Sequence, residues 1–126
     1  MSIKINPVGR KNPQKPEDPA KYYASVVKKG YVDVDQLSKR IAYSSSTNRS
    51  DVYAVIMALV EVIPIELAAG NIVQLGKLGS FSVSVNSNGA ETIEEVNSQL
   101  IKNIKVRFNP GKELKEEARK FSFSTT

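Results

Sequence analysis

The sequence contains no cysteine, no histidine and no tryptophan. Without cysteine there is no disulfide, no thiolate metal site and no cysteine nucleophile. Without histidine the commonest general base and metal ligand is missing, so neither a metal centre nor a cofactor is expected. The carboxylates do not fill the gap. Glu94/Glu95 and Glu116/Glu117 are sequence neighbours, and neighbours on a helix point about 100° apart instead of converging. Leu75-Gly-Lys-Leu-Gly79 lacks the spacing of a phosphate loop and leads into a strand, not a helix. An enzyme acting on a small-molecule substrate is therefore not expected.

Long apolar runs are scarce as well. The strongest, Val52 to Ala69, is interrupted by Glu61, Pro64 and Glu66, and charges near a bilayer centre are costly. It reads as a buried helix, with no membrane partner. Met-Ser-Ile-Lys-Ile-Asn-Pro has no apolar stretch long enough for a signal peptide, so a cytoplasmic location is expected.

What the chain does have is a modest basic excess: 18 Lys+Arg against 13 Asp+Glu in 126 residues, net +5. The excess sits at the front. Residues 1–30 hold seven basic residues and two acidic ones, whereas residues 31–70 hold three and five. The length fits one small domain with an extension, and the basic excess is compatible with a nucleic-acid partner.

Along the chain the periodicity changes twice. Ser2–Asn6 alternates like a short edge strand, and Pro7, Pro13, Pro16 and Pro19 punctuate the basic stretch that follows. Lys21–Val27 has strand composition. Val34, Leu37 and Ile41 then predict a short helix with Asp33 as its N-cap, and Asn48 with Asp51 predicts the capped start of a longer one. Beyond Gly70-Asn71, strands are expected at Ile72–Leu75, through Phe81, Val83 and Val85, and at Ile104–Phe108. A last helix is expected from Asn109-Pro110, with proline at its first position.

The long helix carries Val52, Val55, Ile56, Leu59, Val60, Ile63 and Leu67 on one face, with Tyr53, Met57, Val62 and Ile65 opposite. A helix apolar on nearly all sides needs cover on nearly all sides. So few other elements cannot supply it, so an intertwined homodimer is expected, with Val55, Ile56, Leu59, Val60, Ile63, Phe81 and Phe108 in its core. Pro64 should kink the helix.

Val73-Gln-Leu75, Leu78-Gly-Ser-Phe81 and Phe108-Asn-Pro-Gly-Lys-Glu-Leu-Lys115 together resemble the signature of the bacterial histone-like HU/IHF family. The resemblance covers about residues 31–120. It implies an α+β fold with two N-terminal helices, a three-stranded antiparallel sheet and a C-terminal helix, in a dimer that binds DNA. The division it implies is a basic extension over 1–30, an HU/IHF-like domain over 31–121 and a tail over 122–126. The extension is similar to that of an HU-related subgroup with about 30 added residues. The departure lies in residues 86–103, where the family carries a basic, proline-tipped arm that kinks duplexes. Here that stretch has Glu91, Glu94 and Glu95, the single base Lys102 and no proline. A short hairpin leading into a helical turn packed on the body is expected, without groove insertion.

The candidate DNA contacts are Lys105 and Arg107, with Ser80 and Ser82, on the polar side of the strands, and Lys112 and Lys115 at the last helix. Lys77 in the glycine turn and Arg10 and Lys11 in the extension complete the set. Each has a plain counterpart. A polar strand face is ordinarily solvated, Glu113 and Glu116 offset the helix lysines, and a basic extension can serve as a solubilising tail. The resemblance implies a non-enzymatic, nucleoid-associated protein that grips duplex phosphates with little sequence preference. The alternative is a dimer of the same fold devoted to structure or protein interaction.

Overall fold

The computed structural model describes residues 1–125. It is α+β, with three helices and two three-stranded sheets. The chain forms two units, Met1–Tyr31 with the segment from Glu117 onward, and Val32–Glu116.

The first unit is a sheet of order β2-β1-β6, built from β1 (Ile3–Arg10), β2 (Lys21–Val26) and β6 (Phe123–Thr125). β1 pairs antiparallel with β2 from Ile5↔Val26 to Arg10↔Lys21, and parallel with β6 over Ile3–Ile5. The expected edge strand at Ser2–Asn6 is thus a central one and continues through Pro7. The Val27 N–H donates to the Lys4 carbonyl at 2.8 Å. Ladder alternation then turns the Pro7 nitrogen away from β2, towards the side where β6 has already ended, so no strand bond is lost. The segment 122–126, read from sequence as a tail, holds β6.

The second unit begins with α1 (Val34–Tyr43) and α2 (Arg49–Ala68). Both expected caps form. Asp33 Oδ1 accepts from the Gln36 N–H, and Asn48 Oδ1 from the Asp51 N–H, each at 2.9 Å. Asn48 Nδ2 also donates to Asp51 Oδ2, a side-chain version of the reciprocal capping bond. α2 continues past Pro64 to Ala68. Ser38, fully buried, donates to the Val34 carbonyl at 2.7 Å, and among the described residues Val52 is the one apolar side chain that is buried.

β3 (Val73–Gln74), β4 (Gly79–Ser87) and β5 (Ile101–Pro110) form the second sheet. Pro110, expected to open the last helix, ends β5 opposite Gly79. The Gly111 N–H donates to the Leu78 carbonyl at 2.9 Å, which keeps this stretch on the sheet and delays α3 to Lys112–Ala118. Between β4 and β5 the ladder ends at Ser87↔Ile101, after a bulge at Asn86/Ser87. The residues between include two 3-10 turns, Ile93–Glu95 and Ser98–Leu100, so the short hairpin leads into helical turns as expected, of 3-10 and not α type. The insert is not packed back as expected, for Ile93 is 88 % and Val96 65 % exposed.

The chain exposes 10871 Å². A compact monomer of 13.9 kDa exposes about 6,700 Å², and even two separately folded bodies of that total mass would expose about 8,000 Å². Many large apolar side chains stand exposed, among them Val55, Ile65 and Ile104. A groove of about 710 Å³ runs between α2 and the second sheet, lined entirely by apolar residues, among them Ile56, Val60, Ile63, Phe81 and Val106.

Candidate nucleic-acid interface

The candidate interface follows from the pleat of β4 and β5. Ser80 stands opposite Asn109, Ser82 opposite Arg107, Ser84 opposite Lys105 and Asn86 opposite Asn103. Side chains alternate across a sheet, so these eight share one face. Phe81, Val83 and Val85 share the other with Phe108, Val106 and Ile104, and that face lines the groove against α2. The structure therefore brings Lys105, Arg107, Ser80 and Ser82 together, on the side of the sheet facing away from α2. Neither strand contains a carboxylate.

Arg107 is held in place. Its Nε donates to Ser84 Oγ at 2.9 Å, diagonally across the two strands. This leaves the terminal guanidinium nitrogens to present a planar fork of donors, the geometry that suits phosphate. Among the described residues two ion pairs form, Arg49–Asp35 and Lys120–Glu117. Neither uses a cation of this face, so among the described residues no carboxylate lies within ion-pair distance of Lys105 or Arg107.

A second group gathers where the two glycine-bearing stretches meet. The turn after β3 closes through the Leu75 N–H to the Gly79 carbonyl at 2.8 Å, and Gly111 binds Leu78. A Cβ on Gly111 would collide with the Lys77 carbonyl. Lys77 and Lys112 thus flank one backbone junction, and Lys115 follows at the fourth position of α3. Arg10 and Lys11 belong to the first unit, where the Arg10 guanidinium lies 5.9 Å from the centre of the Tyr23 ring.

Of the residues expected in a dimer core, Ile56, Leu59, Val60, Ile63 and Phe81 line the open groove. Phe108 packs on Phe81 with ring centres 5.0 Å apart and planes at 50°. Val55 lies outside the groove lining and is 63 % exposed.

Sequence reading missed Asn86, Asn103 and Asn109 on the polar face, although they share the parity of the residues it did select. It also left out Lys102, the unpaired residue of the bulge between the pairs Asn86↔Asn103 and Ser87↔Ile101. A bulge shifts register with no local signal in composition. Among the described residues no group of acidic side chains could hold a metal ion, and no helix is long and apolar enough to cross a membrane.

No curated protein matches this chain. Its fold is similar to the crystal structure of a protein described as a candidate bacterial DNA-binding protein from Bacteroides vulgatus ATCC 8482, with a TM-score of 0.68 at 15 % identity. The match covers 98 % of this chain and 47 % of that one, so the chain spans about half the length of the solved relative. Residues 1–125 match the family described as an HU domain fused to a winged helix-turn-helix, immunoglobulin-like or glycine-rich motif (HU-HIG), and the chain belongs to that HU-like family.

Proposed function

We propose that this chain is a non-enzymatic, nucleoid-associated protein of the cell interior. It acts as a homodimer that holds duplex DNA by its phosphates, with little sequence preference and little bending. The observation that carries the reading is the polar face of β4–β5, where Lys105 and Arg107 stand in register with a row of serines and no carboxylate. Cations there meet backbone phosphates, and serine hydroxyls add donors that read no base edge. Lys77, Lys112 and Lys115 extend the positive surface at the junction of the glycine stretches.

The second copy is supported by exposed surface. The excess of about 3,000 Å² per chain over two compact bodies, about 6,000 Å² for a pair, reaches the upper end of the areas that obligate dimers bury. An apolar groove lined by Ile56, Val60, Ile63 and Phe81 suits the same helix of a partner. Weak bending follows from the insert, whose tip carries Glu91, Glu94 and Glu95 and no proline wedge. The basic first unit fits the extended HU-related subgroup.

The test is a titration of linear and pre-bent duplexes at two salt concentrations. Affinity should fall steeply between about 50 and 200 mM salt, by orders of magnitude for a surface making six or more phosphate contacts. It should differ little between the two duplexes. Absence of binding at low salt refutes the reading. A structural or protein-interaction dimer is the second reading, favoured by the exposed Ile93 and Val96 among the glutamates of the insert. Capture of a defined protein from nuclease-treated lysate, lost on Ile93→Ser, would support it.

A further inference from the structure

β6 covers β1 only over Ile3–Ile5, whereas β1 and β2 stay paired out to Arg10↔Lys21. The five pairs from Asn6↔Ser25 to Arg10↔Lys21 therefore form a two-stranded ribbon about 15 Å long, standing beyond the third strand. Every residue of it is exposed, including Tyr22 at 74 % and Tyr23 at 50 %. The three-stranded part of the sheet anchors it, and its outer pairs bury no core.

Its tip has a defined chemistry. Asn12 and Lys15 shape the turn, through the Gln14 N–H to Asn12 Oδ1 and the Asp18 N–H to the Lys15 carbonyl. Beside it lies a cleft of about 390 Å³, lined by Arg10, Lys11, Lys21 and Tyr23, together with Asp18. Although Asp18 lines the same space, no base of the tip forms an ion pair with it among the described residues. The Tyr23 ring instead carries Arg10 on its face, which orients the guanidinium without neutralising it. Arg10, Lys11, Lys15 and Lys21 against Glu17 and Asp18 leave the tip at +2. The tip of the β4–β5 ribbon is opposite in sign, with Glu91, Glu94 and Glu95 and no base between residues 88 and 100.

We infer that the β1–β2 ribbon is a DNA-binding arm of this chain, separate from the β4–β5 face, contacting duplex phosphates through Arg10, Lys11, Lys15 and Lys21. A two-stranded ribbon fits the major groove, and exposed cations on a narrow stem reach phosphates on its walls. The inference rests on the DNA-binding reading of the β4–β5 face and adds a separate site to it.

The experiment compares the full chain with the variant K11Q/K15Q/K21Q and with K11R/K15R/K21R, measuring duplex affinity against salt. All three positions are exposed, so neither variant disturbs a core. Each phosphate contact contributes about 0.9 to the slope of log affinity against log salt. The glutamine variant should lose roughly two to three of that slope per bound chain, and the arginine variant should keep it. An unchanged slope in the glutamine variant, while the parent chain still binds and still depends on Lys105 and Arg107, overturns this arm alone. A parent chain that does not bind at all overturns the DNA reading and the arm with it.

Discussion

Gly79 faces the Phe108 ring so closely that a Cβ on the glycine would sit 2.8 Å from Phe108 Cζ and run into the Asn109 carbonyl. Its φ of +146° lies in a region that side chains avoid. The two glycine-bearing stretches are therefore one structural motif, each leaving room for the other. Gly79→Ala should destabilise the protein by about 2 kcal/mol or more, combining backbone strain with the collision. Thermal denaturation should show a midpoint lower by roughly 10 °C. Gly89→Ala is the control. Nothing lies within 4 Å of a Cβ there, and the midpoint should move by a degree or two at most.

The helix caps should outweigh the ion pair beside them. Asn48→Ala removes the acceptor for the Asp51 N–H and should cost about 1 kcal/mol, read as a lower urea midpoint at constant m-value. Arg49→Met breaks the pair with Asp35, but both side chains are about half exposed, at 52 % and 44 %. An exposed pair is screened by water, so that variant should shift the midpoint much less. Equal losses would contradict this ranking.

Val60→Lys tests the open groove. If a second copy covers it, the substitution buries a charge with no partner, which costs several kcal/mol. Sedimentation equilibrium should then show dimer dissociation strengthened by about 100-fold or more. The same substitution on a chain that is monomeric in solution would leave the sedimenting mass unchanged.

Much of the fold was legible because its signals are local. Asp33 and Asn48 announce the helix starts, and the alternation of serines with Phe81, Val83 and Val85 announces β4 and the face it turns to water. That Lys105 and Arg107 share a polar face follows from parity alone. What sequence could not supply was pairing at long range. Ile3 meets Phe123 across 120 residues, and no period in either segment records that meeting, so sequence alone presents β1 as an edge and β6 as a tail. Lys21 was passed over for the same reason, since only the hairpin register sets it opposite Arg10. Pro110 misled because proline suits both a helix start and a strand end. The bond from Gly111 to Leu78 decides between them.

The central claim is that the polar face of β4–β5 grips phosphates, and the double variant K105E/R107E tests it most directly. Its duplex affinity should be measured by fluorescence anisotropy over a salt series, with circular dichroism confirming the fold. Two lost charge-assisted contacts should weaken binding on the order of 100-fold at low salt. They should also flatten the log–log salt slope by about 1.8 per chain, uniformly across duplex sequences. An affinity and slope equal to those of the parent chain would contradict the account.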